Sequence, residues 1–198
     1  MRKNFNQEEK YNEDRELWQA LRKGEKRAVS ELFGKYYQRL YNYGMRLTSA
    51  RNELVRDSIQ VLFFKLWKYR QSLDQAESVK AYLLSSLRRI LLQKLRQEKT
   101  RSERNYAFIE IQFDAVPNIE EKIIGLEHSE QLDKRIKKAC RELSSRQKEI
   151  LLLRYDHGLS NREISEVLEI NYQTVRNHLT RALRNIREEL GVDIALDQ

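Results

Sequence analysis

Seven side chains between residues 173 and 184 are of the kinds that contact a nucleic-acid duplex: Gln173, Thr174, Arg176, Asn177, Thr180, Arg181 and Arg184. Such groups donate to phosphate oxygens and to base edges in the major groove. Their spacing is more telling than their number. At about 100° per residue, Gln173, Arg176, Asn177, Thr180, Arg181 and Arg184 share one helical face. Val175, Leu179, Ala182, Leu183, Ile186 and Leu190 make an apolar stripe on the other. No acid stands between Tyr172 and Arg187, whereas a face that is merely solvated mixes both signs. His178 falls near the edge of the polar face, as a boundary or phosphate contact and not a metal ligand.

The residues just upstream supply what would position such a helix. Ser160 and Glu163 have the S-x-x-E spacing of a capping box, in which two side chains satisfy the free amides of a helix start. Gly158 and Leu159 end a helix expected from about Ser145 to Tyr155, and a short helix over 161–168 turns Ile164, Val167 and Leu168 inward. Asn171 is a good N-cap for the polar-faced helix. Two short helices and a tight turn in this order make a helix-turn-helix. Glu169 stands at the turn position that commonly takes glycine, so a positive φ there costs about 1 kcal/mol.

A second set of candidates lies in the first half. Over residues 52–70, Val55, Ile59, Leu62, Phe63 and Leu66 form a core-facing arc, and Asp57, Gln60, Val61, Phe64 and Lys68 form another. A helix with two such faces packs on its own domain with one and offers the other to a partner. The helix expected over Ser78–Arg96 turns Val79, Leu83, Leu87, Ile90 and Leu91 inward and shows Ser85, Arg88, Arg89, Gln93 and Arg96 on its other side. Two basic helical faces on one chain suit two separated contacts along one nucleic acid.

The chain that carries these faces has 198 residues, a net charge of +8, six glycines and one proline. So few helix breakers favour long helices, and the charge suits a polyanionic partner. Residues 80–104 carry a net +6, residues 107–133 a net −6, and residues 134–190 a net +5. The reading is therefore all-α: two small helical domains, 14–100 and 134–190, joined by a flexible acidic linker over 101–133 that contains Pro117. The alternating run FIEIQF at 108–113 has no partner strand and is expected to be an extended segment. Cys140, the single cysteine, reads as a small apolar residue in a helix. No apolar run approaches the ~20 residues that span a membrane, and the N-terminus lacks the apolar core of a signal peptide. A cytoplasmic location is expected.

The order of these parts resembles bacterial RNA polymerase sigma factors of the extracytoplasmic-function group of the sigma-70 family. The resemblance rests on ELWQALRKGEKRAVSELFGKYYQRLYNYGMRL (16–47), DSIQVLFFKLW (57–67), SVKAYLLSSLRRILLQKLR (78–96) and LSSRQKEILLLRYDHGLSNREISEVL (143–168) with the helix that follows. It implies a transcription initiation factor with core RNA polymerase and promoter DNA as partners, an anti-sigma factor as a further class of partner, and no cofactor or metal. Asp57, Gln60, Val61, Phe63, Phe64 and Trp67 would then dock on the polymerase. Lys80, Ser85, Arg88, Arg89, Gln93 and Arg96, with the loop QSLDQAES before them, would engage the melted minus-ten element. That loop would hold a pocket for a base flipped from the non-template strand. The 171–187 helix, through Gln173, Thr174, Arg176, Asn177, Thr180, Arg181 and Arg184, would read the minus-thirty-five element as duplex.

Two other readings compete with this one. Residues 143–179 also resemble the DNA-binding domain of LuxR-type regulators, but those carry an α/β sensory or receiver domain upstream, and the first half here shows no alternating strands. An enzyme would need clustered acids or a nucleophile constellation. The acids here are scattered and the three histidines far apart, with no Walker-type loop or zinc spacing. The chain is expected not to be an enzyme.

Overall fold

The computed structural model describes residues 2–102, 135 and 138–190. Every regular element among them is helical. The chain divides into two units, Met1–Glu110 and Ile111–Gln198. The FIEIQF run and the rest of the acidic 103–133 stretch lie outside the described residues, as does the side chain of Leu190.

The first unit holds α1 (Arg2–Lys23), α2 (Lys26–Leu47), α3 (Asn52–Lys68), a 3-10 turn (Arg70–Ser72) and α4 (Val79–Ser102). The apolar spacing of α2 explains its fit: Ala28, Leu32, Tyr36, Leu40, Tyr43 and Leu47 are all buried, three or four residues apart. Gly44 sets how closely α3 can approach, because a Cβ at that position would come within 2.7 Å of a Val55 methyl. The chain then reverses through Ser49 and Ala50, with φ of 50° and 68°. Side chains in this left-handed region cost about 1 kcal/mol each. The core closes around Trp18, Leu21, Leu40, Ile59, Leu83, Leu87 and Leu91, none more than 1% exposed. Truncating one such residue, Leu87→Ala for instance, costs roughly 2–5 kcal/mol.

One charged cluster sits in the seam between α1 and α2. The Asp14 carboxylate is buried, accepts a hydrogen bond from the Tyr36 hydroxyl, and faces the Lys35 ammonium at 2.8 Å. Glu13 reaches the same ammonium at 3.0 Å. Burial works to lower the Lys35 pKa, but the two carboxylates outweigh it and hold the group above its ordinary value.

In the second unit a helical stretch over 138–142 buries Ala139 and Cys140, as expected for that cysteine. Helix α5 (Ser145–Leu151) follows, opened by a capping box between Ser144 and Gln147 that the sequence reading overlooked. The helical run ends at Asp156, beyond the expected Tyr155, and its last five residues, Leu152–Asp156, form a π turn. Four consecutive residues, Ile150 to Leu153, are buried, more than half the circumference of an α-helix. Gly158, at φ +62°, then turns the chain. Helix α6 (Asn161–Leu168) opens on the expected Ser160–Glu163 box and buries Ile164, Val167 and Leu168. Glu169 takes the left-handed turn at φ 54°, ψ 44°. Helix α7 (Tyr172–Leu190) completes the unit.

Candidate functional site

Helix α7 is built for outward presentation. Val175, Leu179, Ala182, Leu183 and Ile186 are buried, while Gln173, Arg176, Asn177, Thr180, Arg181 and Arg184 are all exposed. The six outward positions span an arc of about 140° at 100° per residue. Arg184 keeps a loose contact with Glu188, 3.9 Å away. Neither Arg176 nor Arg181 makes an ion pair among the described residues, so both guanidiniums face solvent. Thr174 has a different part. Its backbone N–H and its hydroxyl both donate to the Asn171 side-chain oxygen, at 2.7 and 2.8 Å, and it is half-buried. Its hydroxyl hydrogen serves the N-cap, which leaves it an acceptor role at most. His178 lies at the margin of the face. Burial first, and then the charges of Arg146 and Arg181, hold its pKa below the usual histidine value.

Helix α3 shows the two faces expected of it. Val55, Ile59, Leu62, Phe63 and Leu66 are buried; Asp57, Gln60 and Lys68 are exposed, and Val61 is half-exposed. Phe64 is 64% exposed, an unusual setting for a phenyl ring in the middle of a helix. One of the expected docking residues needs correction. Phe63 is 6% exposed and packs edge-on against Phe33 with ring centroids 5.0 Å apart; it belongs to the core. Trp67 is half-buried, and the Arg70 guanidinium covers its ring at 4.3 Å. Helix α2 contributes an aromatic row beside α3 that the sequence reading missed. Phe33 is 5.1 Å from Tyr37, and Tyr37 stacks on Tyr41 at 6.1 Å. Their i, i+4, i+8 spacing was the available signal.

Helix α4 corrects the reading further. Arg88 is 8% exposed, not part of an outward basic face. The reason is that α4 packs against α1, α2 and α3, so Ala81 and Leu84 are buried as well as the five expected positions. On a helical wheel Arg88 falls between those two. Lys80 is half-buried, in line with Leu87. The outward strip is Arg89, Gln93 and Arg96, with Ser85 half-buried at its edge. Between α3, the loop and the base of this strip lies a pocket of about 210 Å³, lined in part by Lys65, Tyr69, Leu73, Tyr82, Ser86 and Arg89. Tyr69 and Tyr82, 51% and 37% exposed, were not among the expected site residues.

Among the described residues no group of His, Cys, Asp and Glu is placed to hold a metal ion. No described helix is long and apolar enough to cross a membrane.

Comparison with known proteins follows this division of the molecule. The family model described as "Sigma-70 region 2" matches residues 32–101, and that described as "Sigma-70, region 4" matches residues 133–186. The chain is 23% identical over 166 residues to the ECF RNA polymerase sigma factor SigK of Mycobacterium bovis (strain BCG / Pasteur 1173P2), covering 83% of this chain and 87% of that one. It is 26% identical over 167 residues to the protein of the same name from Mycobacterium sp. (strain KMS), covering 82% and 84%. Two solved structures share the fold. CnrH, in complex with the cytosolic domain of CnrY, aligns with TM-score 0.56 and 19% identity over 91% of this chain and 98% of that chain. The sigma factor RpoE of Bartonella quintana, in complex with the anti-sigma factor NepR, aligns with TM-score 0.54 and 20% identity over 83% and 97%. The region 2 match on the upstream helices favours this family over the LuxR-type alternative. With both regions matched in order, and ECF sigma factors aligned over most of its length, the chain belongs to the ECF group of the sigma-70 family, the RNA polymerase sigma factors that carry promoter recognition.

Proposed function

We propose that the exposed strip of α3 docks this sigma factor on core RNA polymerase, that the outward strip of α4 and its pocket take the minus-ten element, and that α7 reads the minus-thirty-five duplex. The observation that carries the reading is Phe64. A phenyl ring left 64% exposed on a helix whose other face is buried forgoes roughly 1–2 kcal/mol of burial. With Val61 beside it and Asp57, Gln60 and Lys68 exposed on the same face, it has the make-up of an interface anchor with a polar surround.

The pocket beside α4 suits an unstacked base. Its tyrosines offer stacking faces, and Lys65 and Arg89 offer cations to the flanking phosphates. The chain itself performs no covalent step in this reading; polymerisation belongs to the partner, and the place of action is the cytoplasm. An anti-sigma factor is a further partner, competing for the same exposed strips.

The test is co-elution with core RNA polymerase. The wild-type chain is expected to elute with the core enzyme. Phe64→Ala is expected to lose at least tenfold in affinity while its unfolding midpoint stays unchanged, since truncation at an exposed site costs within about 0.5 kcal/mol of stability. Equal binding by the variant would remove α3 from the interface.

A further inference from the structure

The outward face of α7 contains one feature that general basicity does not explain. Gln173 Nε2 donates to Asn177 Oδ1 at 3.1 Å, one helical turn apart, with both residues exposed. An exposed amide pair has no need of this bond for stability, because water satisfies both groups. What the bond does is fix two flexible side chains relative to each other before any partner arrives. That lowers the rotamer entropy lost on binding.

The bond also decides which groups remain outward. The bond takes one Nε2 hydrogen and one Oδ1 lone pair, so the two atoms left wholly unengaged are Gln173 Oε1, which accepts, and Asn177 Nδ2, which donates. Turning both amides over exchanges the partners but again leaves one acceptor and one donor. In the major groove only adenine presents the complement of that set on one base edge: N6–H₂ donates and N7 accepts. Guanine offers two acceptors, so its O6 would face the pair's acceptor; cytosine offers a donor alone, and thymine an acceptor alone. The pair lies in the first two turns of α7, the part of a recognition helix that meets base edges. Arg181 and Arg184 are exposed further along the same face.

We infer that Gln173 and Asn177 act as one unit that selects a single adenine in the upstream promoter element, with Arg176 and Arg181 supplying affinity that is indifferent to that base. The inference rests on the assignment of α7 to promoter duplex. It names two specificity-determining residues and the base they take.

The test uses the full chain bound to core RNA polymerase and duplexes selected from a library randomised upstream of a fixed minus-ten region. Wild type is expected to enrich a sequence containing an adenine whose preference disappears in Gln173→Ala with Asn177→Ala, while the other positions keep theirs. On the enriched duplex, replacing that adenine by 7-deazaadenine, which lacks the N7 acceptor, or by purine, which lacks the N6 donor, is expected to weaken wild-type binding about tenfold each. The double variant is expected to be unaffected by either change. If the same sequence is enriched with and without the pair, or if the analogues weaken both proteins alike, the adenine assignment is overturned while the role of α7 stands. If no upstream sequence is enriched at all, the assignment of α7 fails and the inference with it.

Discussion

The indole Nε1 of Trp18 donates to the backbone carbonyl of Asp74 at 3.0 Å, tying α1 to the loop before α4 across 56 residues of sequence. Trp18 is 1% exposed and meets Tyr82 edge-on, with centroids 4.9 Å apart. The loop that carries the pocket lining residue Leu73 is thus anchored from behind. Trp18→Phe keeps an aromatic ring but removes the donor, at a cost of about 1 kcal/mol for the hydrogen bond and a further part for lost volume. The expected result is normal binding to core polymerase with several-fold weaker permanganate reactivity of unpaired thymines in the promoter bubble. Unchanged reactivity would separate the loop from strand capture.

The two free guanidiniums of α7 make a quantitative forecast. Each phosphate neutralised steepens the dependence of log affinity on log salt by about 0.9. Arg176→Ala and Arg181→Ala should each weaken promoter-duplex binding and flatten that slope by about one unit, with polymerase affinity unchanged. Parallel losses of DNA and polymerase binding would point to general unfolding of the unit.

Glu169 is the residue to replace for stability. It occupies the left-handed region at φ 54°, where a side chain costs about 1 kcal/mol that glycine does not incur. Glu169→Gly should raise stability by roughly 0.5–1 kcal/mol, less than the full strain because glycine has more freedom to lose. Urea denaturation followed by circular dichroism would measure it. A lower midpoint would mean that the Glu169 side chain supplies more than strain.

Acid should act through His178. Its folded pKa lies below the ordinary 6.5, chiefly through burial and then through Arg146 and Arg181. The unfolded chain therefore takes up its proton first as pH falls below about 6.5, and stability declines from there until the folded pKa is passed. Well above pH 6.5 this group contributes no slope. Denaturation midpoints at pH 7.5 and 5.5 should differ less in His178→Gln than in wild type.

How far the sequence disclosed this molecule depends on how many neighbours each helix has. Helices α3 and α7 each pack with one side and show the other, so periodicity alone separated Phe64 from Leu62 and Arg176 from Val175. Helix α4 broke the same rule because three helices surround it. A wheel drawn for one buried face put Arg88 outside, and only the packing of Ala81 and Leu84 shows why it lies within. Phe63 was drawn into the docking set by its motif, although its own periodicity assigned it to the core. The Gln173–Asn177 bond and the π turn after Leu151 depend on side-chain and backbone geometry that residue types do not encode. The pocket tyrosines Tyr69 and Tyr82 were missed for a simpler reason: they come from different elements and meet only in the folded unit.

The embedding of α4 also bears on how the promoter preference of such a chain diverges over time. Rolling α4 by one residue would drive Arg89 toward the interior and lift a core leucine into water. Its orientation is therefore locked, and gradual reorientation is closed as an evolutionary route. On the proposed role of α4, a duplicated copy would acquire a new minus-ten preference by exchanging the residues of the narrow outer strip, Ser85, Arg89, Gln93 and Arg96, one discrete step at a time.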